Sequence, residues 1–399
     1  MKMKKVLALV LIVAVVAALG ISLSACNKDD DFKIGLICLH DSNSTYDKNF
    51  IDAMNEVKKE LGLKDSQVII KAPVDETNDC YEAAADLVDQ GCSIIIADSF
   101  GHEEFMIKAA KEFPNVQFCH ATGTMAEAEN LPNFHNAFAS IYEGRYLAGI
   151  AAGMKLNEMI AAGNFTASQA KMGYVGAFTY AEVISGYTSF YLGAKSICPT
   201  VTMDVTFTGS WYNESSEKEA ANSLIAGGAK LISQHADSMG APSACEEAGV
   251  PNVSYNGSTK ESCPNTFIVS SRINWAPYYM YVINCVKNGK EIAKNWCGGI
   301  EEGSVVLTDV NTQAAAAGTQ AKIDEIKAKL ISGEIKVFDC SKFTVNGANL
   351  TTYTNSFGME GVECIKTESG VTYFAESSVR SAPYFDMNID GITLLNSAF

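Results

Sequence analysis

Ile94-Ile95-Ile96-Ala97-Asp98-Ser99-Phe100-Gly101 decides the fold. A short apolar run ends in a polar pair, an aromatic ring and a glycine, and a stretch of helical period comes next. This is the pattern of a buried parallel strand reaching its carboxyl end. In open α/β sheets ligands sit in the crevice beyond such ends, where helix N-termini point inward. Taken alone, the stretch fits an ordinary turn with Phe100 in the core better, so its surroundings have to decide.

Upstream, residues 32–39 form a largely apolar strand, 40–47 a polar loop and 68–71 a second strand. Phe50, Met54, Val57 and Leu61 recur at helical spacing, and 82–90 is a helix stopped by Gly91. Downstream, 104–113 is a helix ended by Pro114, and 116–119 is the next strand. Strand and helix alternate throughout, which predicts a doubly wound parallel sheet. A helix over 140–155 is rich in small residues (Gly144, Ala148, Gly149, Gly153) and suits close helix packing. Residues 157–169 read as a loop. From 172 a second alternating series repeats the first in architecture rather than in sequence.

The expected fold class is therefore α/β, with two doubly wound parallel-sheet lobes facing each other across a cleft. The first lobe is expected to take 32–139 plus about 257–299, the second 140–256, and 300–399 to pack as irregular β structure on the lobes and hinge. With 47% hydrophobic and 19% charged residues over 399 positions, the chain can fill two such cores.

The N-terminus is expected to lie outside the fold. Three lysines precede an apolar segment that ends Leu23-Ser24-Ala25-Cys26, with the polar 27–31 after it. That is the layout of a secretory signal over 1–25, with 26–31 as a tether. Without the signal's three lysines the net charge falls from −16 to −19, which disfavours nucleic acid and anionic membrane surfaces as partners. Eleven cysteines remain after Cys26, widely spaced and without CxxC, so neither a zinc site nor a disulfide framework is expected.

Polar and aromatic residues recur where strands end: His40, Asp41 and Tyr46; Ser99 and Phe100; His120 and Thr122; Trp211; His235 and Asp237; Asn256; Arg272 and Trp275. Rings interleaved with hydrogen-bonding groups suit a flat heterocycle. No GxSxG, HExxH, Walker loop or GxGxxG is present, so no catalytic residue, metal or cofactor is expected. A nucleoside hydrolase using Asp41 or Asp237 would need a carboxylate cluster that the spacing does not offer.

Several stretches resemble one family, the basic membrane protein family of substrate-binding lipoproteins, which includes purine-nucleoside receptors of ABC importers. They are Leu23-Ser24-Ala25-Cys26, Asp98-Ser99-Phe100-Gly101, His120-Ala121-Thr122-Gly123, Tyr146-Leu147-Ala148-Gly149, Ser210-Trp211-Tyr212-Asn213, Gln234-His235-Ala236-Asp237-Ser238 and Asn274-Trp275-Ala276-Pro277. Beyond the leader, the likeness runs in order over about 33–299. It implies a type I periplasmic-binding-protein fold, a lipid on Cys26, an extracytoplasmic place on the cell membrane, and delivery of a purine base or nucleoside to permease subunits of an ABC importer. The alternative on the same fold is a sensing lipoprotein with a non-transporter partner. By the same resemblance Phe100 and Trp211 would stack on the base, with Asp41, Tyr46, Thr122 and Asp237 near its edges. Asn256 and Arg272 fall where nucleoside-binding relatives use Asp and Lys on the ribose. Asn43-Ser44-Thr45-Tyr46 stands where Gly-Trp-Thr-Tyr is usual.

Overall fold

The computed structural model describes residues 32–355 and 361–397. The expected signal, Cys26 and the tether lie outside these residues. Among the described residues no helix is long and apolar enough to cross a membrane.

In chain order the first half runs β1 (Ile34–Ile37), α1 (Thr45–Glu60), β2 (Val68–Lys71), α2 (Asn78–Asp89), β3 (Ile94–Ala97), α3 (Glu103–Glu112), β4 (Gln117–Ala121), α4 (Ala126–Glu129) and β5 (Phe134–Ala139). The second half runs α5 (Ile141–Ala161), β6 (Lys171–Gly176), α6 (Ala181–Ile197), β7 (Thr202–Phe207), α7 (Glu214–Ala226), β8 (Leu231–Gln234), α8 (Gly240–Ala248), β9 (Asn252–Tyr255) and β10 (Phe267–Ile273). Next come α9 (Ala276–Lys287), β11 (Asn295–Gly298), β12 (Val305–Leu307) and α10 (Thr319–Ile331). The tail holds β13 (Thr354–Asn355), β14 (Val362–Glu363), β15 (Ile365–Glu368), β16 (Val371–Phe374) and β17 (Ile392–Leu394).

The first sheet is wholly parallel, in the order β11-β5-β4-β3-β1-β2. The second has the order β12-β10-β9-β8-β6-β7-β17, parallel except for the β12 edge. Within each sheet the strands take the same doubly wound order. Chain order reverses between β1 and β3 in one lobe and between β6 and β8 in the other, which is where such sheets open a crevice. The interior strands β1, β3, β6 and β8 are buried almost throughout, as strands covered on both faces are.

Between β5 and β12 the chain crosses between lobes three times: from β5 to α5, from β10 to α9, and from β11 to β12. The expected boundary at 256 is corrected on one point. Phe267–Ile273 belongs to the second sheet, and the chain returns to the first lobe only after Ile273. The small residues of α5 act as their size suggests. A Cβ at Gly149 would collide with the carbonyl oxygen of Phe190 on α6, and one at Gly193 with that of Tyr146 on α5. Two glycines thus set how closely these helices pack. α5 also runs to Ala161, past the end expected at 155. Ten of the eleven described cysteines are buried as small apolar side chains.

Candidate ligand-binding site

The two reversal points face each other across a cavity. Leu39 and His40 lie just past β1, Ser99 and Phe100 past β3, and Thr122 past β4. From the other lobe come Glu182 at the start of α6, Trp211 after β7, His235 and Asp237 after β8, and Tyr255 and Asn256 at the end of β9. Tyr46 and Asp47 contribute from the first turn of α1.

The lobes touch directly. Phe100 lies against Tyr180, ring centroids 5.2 Å apart, and His40 against Tyr212 at 5.5 Å. Tyr180 continues into a cluster with Phe178, stacked at 5.1 Å, and Phe178 meets the Trp211 ring at 4.9 Å. Trp211 and Phe100 are thus walls of one cavity, but the ring that meets Phe100 is Tyr180.

Two strand-end residues of the wall, Thr122 and Asn256, both have φ of 66°. A β-branched threonine is strained in this left-handed region, and such strain gathers at functional sites. Asn256 uses the geometry to donate its side-chain amide to Asp237 Oδ1 at 3.0 Å. Burial above all, then the Asp47 carboxylate, raises the pKa of Asp237 well above the ordinary carboxylate range. The Tyr255 hydroxyl is buried with no hydrogen-bond partner among the described residues, while the Arg145 guanidinium lies 4.4 Å over its ring. His235 bridges Tyr174 and Glu182, at 3.4 Å to each, and burial lowers its pKa so that the ring stays neutral.

Seven of the residues expected at the ligand line this cavity: Tyr46, Ser99, Phe100, Thr122, Trp211, Asp237 and Asn256. Tyr46 and Ser99 have their hydroxyls engaged elsewhere, Tyr46 on the Asp98 carbonyl at 2.8 Å and Ser99 on Glu76 at 2.5 Å. Three of the expected residues lie outside the cavity wall. Asp41 sits on an exposed turn, accepting from the Asn43 N–H at 2.9 Å. Arg272 is half-buried beside Asn49, 3.4 Å from its side-chain oxygen, and does not line the cavity. Trp275 is 1% exposed and stacked on Phe50 at 4.4 Å, so it belongs to the core. Arg272 lies near the end of β10 and Trp275 just past it, where the chain passes to the first lobe.

Asp47, Glu182 and Tyr255 were not expected. Ser44-x-x-Asp47 carried a signal, because a serine three residues before an acid caps a helix. Asp47 accepts from the His40 N–H at 2.8 Å and the Ser44 hydroxyl at 2.5 Å. Behind it Cys38, Asp47 and Asp98 gather their donor atoms within 4.8 Å of one another, which their spacing did not suggest. Burial, and then Asp47, raises Asp98 well above its ordinary pKa, and burial raises the Cys38 thiol.

Residues 36–340 match the family described as ABC transporter substrate-binding protein, PnrA-like. The chain is similar, at 29% identity over 331 residues covering 82% of it and 89% of the relative, to a purine-binding protein of Brucella abortus. It is 28% identical over 270 residues, 68% of this chain and 65% of the other, to a Haloferax volcanii protein named for glucose binding in an ABC transporter. In fold it is similar to solved solute-binding proteins of ABC transporter systems. One from Aeropyrum pernix has a TM-score of 0.64 at 17% identity, covering 77% of this chain and 93% of that one. Another from Conexibacter woesei has 0.62 at 20% identity, covering 76% and 98%. This is the type I periplasmic-binding-protein fold.

Proposed function

The chain belongs to the PnrA-like family of ABC transporter substrate-binding proteins, and from that premise we propose that it is a lipid-anchored receptor for a purine base or nucleoside. The family consists of extracytoplasmic solute carriers rather than enzymes, which hand a small molecule to a permease. Closing two lobes around a solute requires no covalent chemistry.

The observation that carries the purine reading is the pairing of rings and edge groups on one cavity. Phe100 and Trp211 come from opposite lobes, while Asp237, Asn256 and Tyr255 supply donors and acceptors beside them. A planar heterocycle takes rings on its faces and hydrogen bonds at its edge. The Brucella relative, named for purine binding, favours the same class. The anchor rests on Leu23-Ser24-Ala25-Cys26, whose thiol would carry the lipid.

Isothermal titration with adenine, guanine, adenosine and guanosine, with glucose as contrast, tests the ligand. Binding of at least one purine and none of glucose is expected. A ligand-free protein that takes glucose and ignores all four purines overturns the reading. For the anchor, Cys26→Ser is expected to release the protein from the membrane fraction.

A further inference from the structure

Arg145 on α5 is fully buried, and its guanidinium lies beside the Tyr255 ring of the cavity wall. Its Nε and Nη1 groups have no hydrogen-bond partner among the described residues. Nη2 donates to the Tyr174 hydroxyl and, at 3.2 Å, to the Gln234 carbonyl. A guanidinium has donors only and keeps its charge inside a protein. It therefore gives a direction to the hydrogen bonds in line with it.

The Tyr174 hydroxyl accepts from Arg145, so its own proton goes to the acceptor on its other side, His235 Nδ1, at 3.4 Å. The neutral imidazole holds one proton, and with Nδ1 accepting, that proton sits on Nε2. Nε2 then donates to Glu182 Oε1, again at 3.4 Å. Glu182 stands at the start of α6 on the cavity wall and is left as an acceptor. A glycine makes room for the middle of this chain. A Cβ at Gly186 would lie 3.0 Å from His235 Nδ1.

The hydroxyls of the wall have the same polarity. Tyr46 donates to the Asp98 carbonyl at 2.8 Å, Ser99 to Glu76 at 2.5 Å and Thr122 to the Ala121 carbonyl at 2.5 Å. With their protons engaged in the protein, these three oxygens offer a ligand lone pairs only. Such a wall suits a ligand that brings N–H groups. An amino substituent brings two, whereas a bare ring C–H in its place leaves the acceptors unpaired.

Resting on the purine reading, we propose that Arg145 is a positioning residue for specificity: through Tyr174 and His235 it fixes Glu182 as the acceptor for an exocyclic amino group of the base.

Two pairs of bases that differ by one amino group test this: adenine with unsubstituted purine, and guanine with hypoxanthine. In titrations of the full mature chain, at least one pair is expected to show a gap of at least about tenfold in favour of the amino base. In Arg145→Met and Tyr174→Phe that gap is expected to narrow to less than about threefold, with thermal melting to report folding. In Glu182→Gln the amide oxygen takes the His235 proton and the amide N–H groups face the ligand, so the gap is expected to close or reverse. Long-range nitrogen–proton NMR spectra of the histidine-labelled protein, assigned with His235→Gln, read the chain without ligand. The wild-type His235 proton is expected on Nε2. A proton on Nδ1 overturns the inference, as does a gap that survives in the folded variants. Purines that bind with no gap in either pair overturn it and leave the purine reading intact. A protein that binds no purine removes both.

Discussion

Thr45 donates its backbone N–H and its hydroxyl to the same carbonyl oxygen, that of Asp237, each at 3.1 Å. The first turn of α1 is thereby tied to the loop that carries an acid of the cavity wall. One turn further, Asn49 donates to the Asn256 carbonyl at 3.0 Å. These bonds join the two lobes and can form only when the lobes are shut.

Thr45→Val removes the hydroxyl half of this tie and keeps the N–H. The closed form is expected to lose about 1 kcal/mol, which weakens ligand affinity about fivefold with little change in melting temperature. Small-angle scattering of the ligand-free variant should show a larger radius of gyration. Unchanged affinity would mean that the tie does not govern closure.

Phe100 is half-buried, and the ring it meets is on the other lobe. Phe100→Ala is expected to cost about tenfold in ligand affinity, in keeping with one lost aromatic contact, while denaturant stability stays within about 1 kcal/mol. A variant that unfolds and retains affinity would assign Phe100 to the core.

Trp275 should behave in the opposite way. It packs on Phe50, Phe138 and Tyr278 inside the first lobe. Trp275→Ala is expected to lower stability by about 3–5 kcal/mol, and the fraction still folded should bind ligand normally. Selective loss of binding at full stability would restore it to the site.

Glu376 links the tail to pH. Burial pushes its pKa up to about 7, and the two backbone N–H groups on it offset that only in part. A folded-state pKa above the unfolded value of 4.5 favours the protonated form in the native protein. Its contribution is therefore complete below pH 4.5 and is lost as pH rises through about 7. The full swing is on the order of 3 kcal/mol. In Glu376→Gln, urea midpoints at pH 5 and pH 8 should lie closer together than in the wild type. Equal pH slopes would show that this carboxyl does not titrate with unfolding.

The two lobes were legible because alternating apolar runs and helical periods survive in a doubly wound sheet, and strand ends are natural cleft positions. What escaped has local causes. β5 reads as polar because His135 and Asn136 interrupt its apolar run, yet both sit inside. His135 lies 2.8 Å from the Gln117 side chain, and Asn136 accepts from the Ala126 N–H and donates to Glu103. Glu182 and Tyr255 lie within a helix and a strand, where nothing local marks them. They reach the cavity because two sheets meet, and that juxtaposition exists only in three dimensions. Arg272 and Trp275 erred the other way, since a strand end before a lobe crossing has the same local pattern as one before a ligand.

The strand that covers β7 is β17, Ile392–Leu394, almost two hundred positions further along the chain. Asn396, just beyond it, accepts the N–H of Phe207 from 189 positions away. Until those residues have left the ribosome and reached their place, β7 is an open sheet edge, able to pair with another chain. Assembly of the second lobe therefore waits for residues 392–394. A product cut short near residue 390 would carry both cleft-forming halves and still have an edge on which to aggregate.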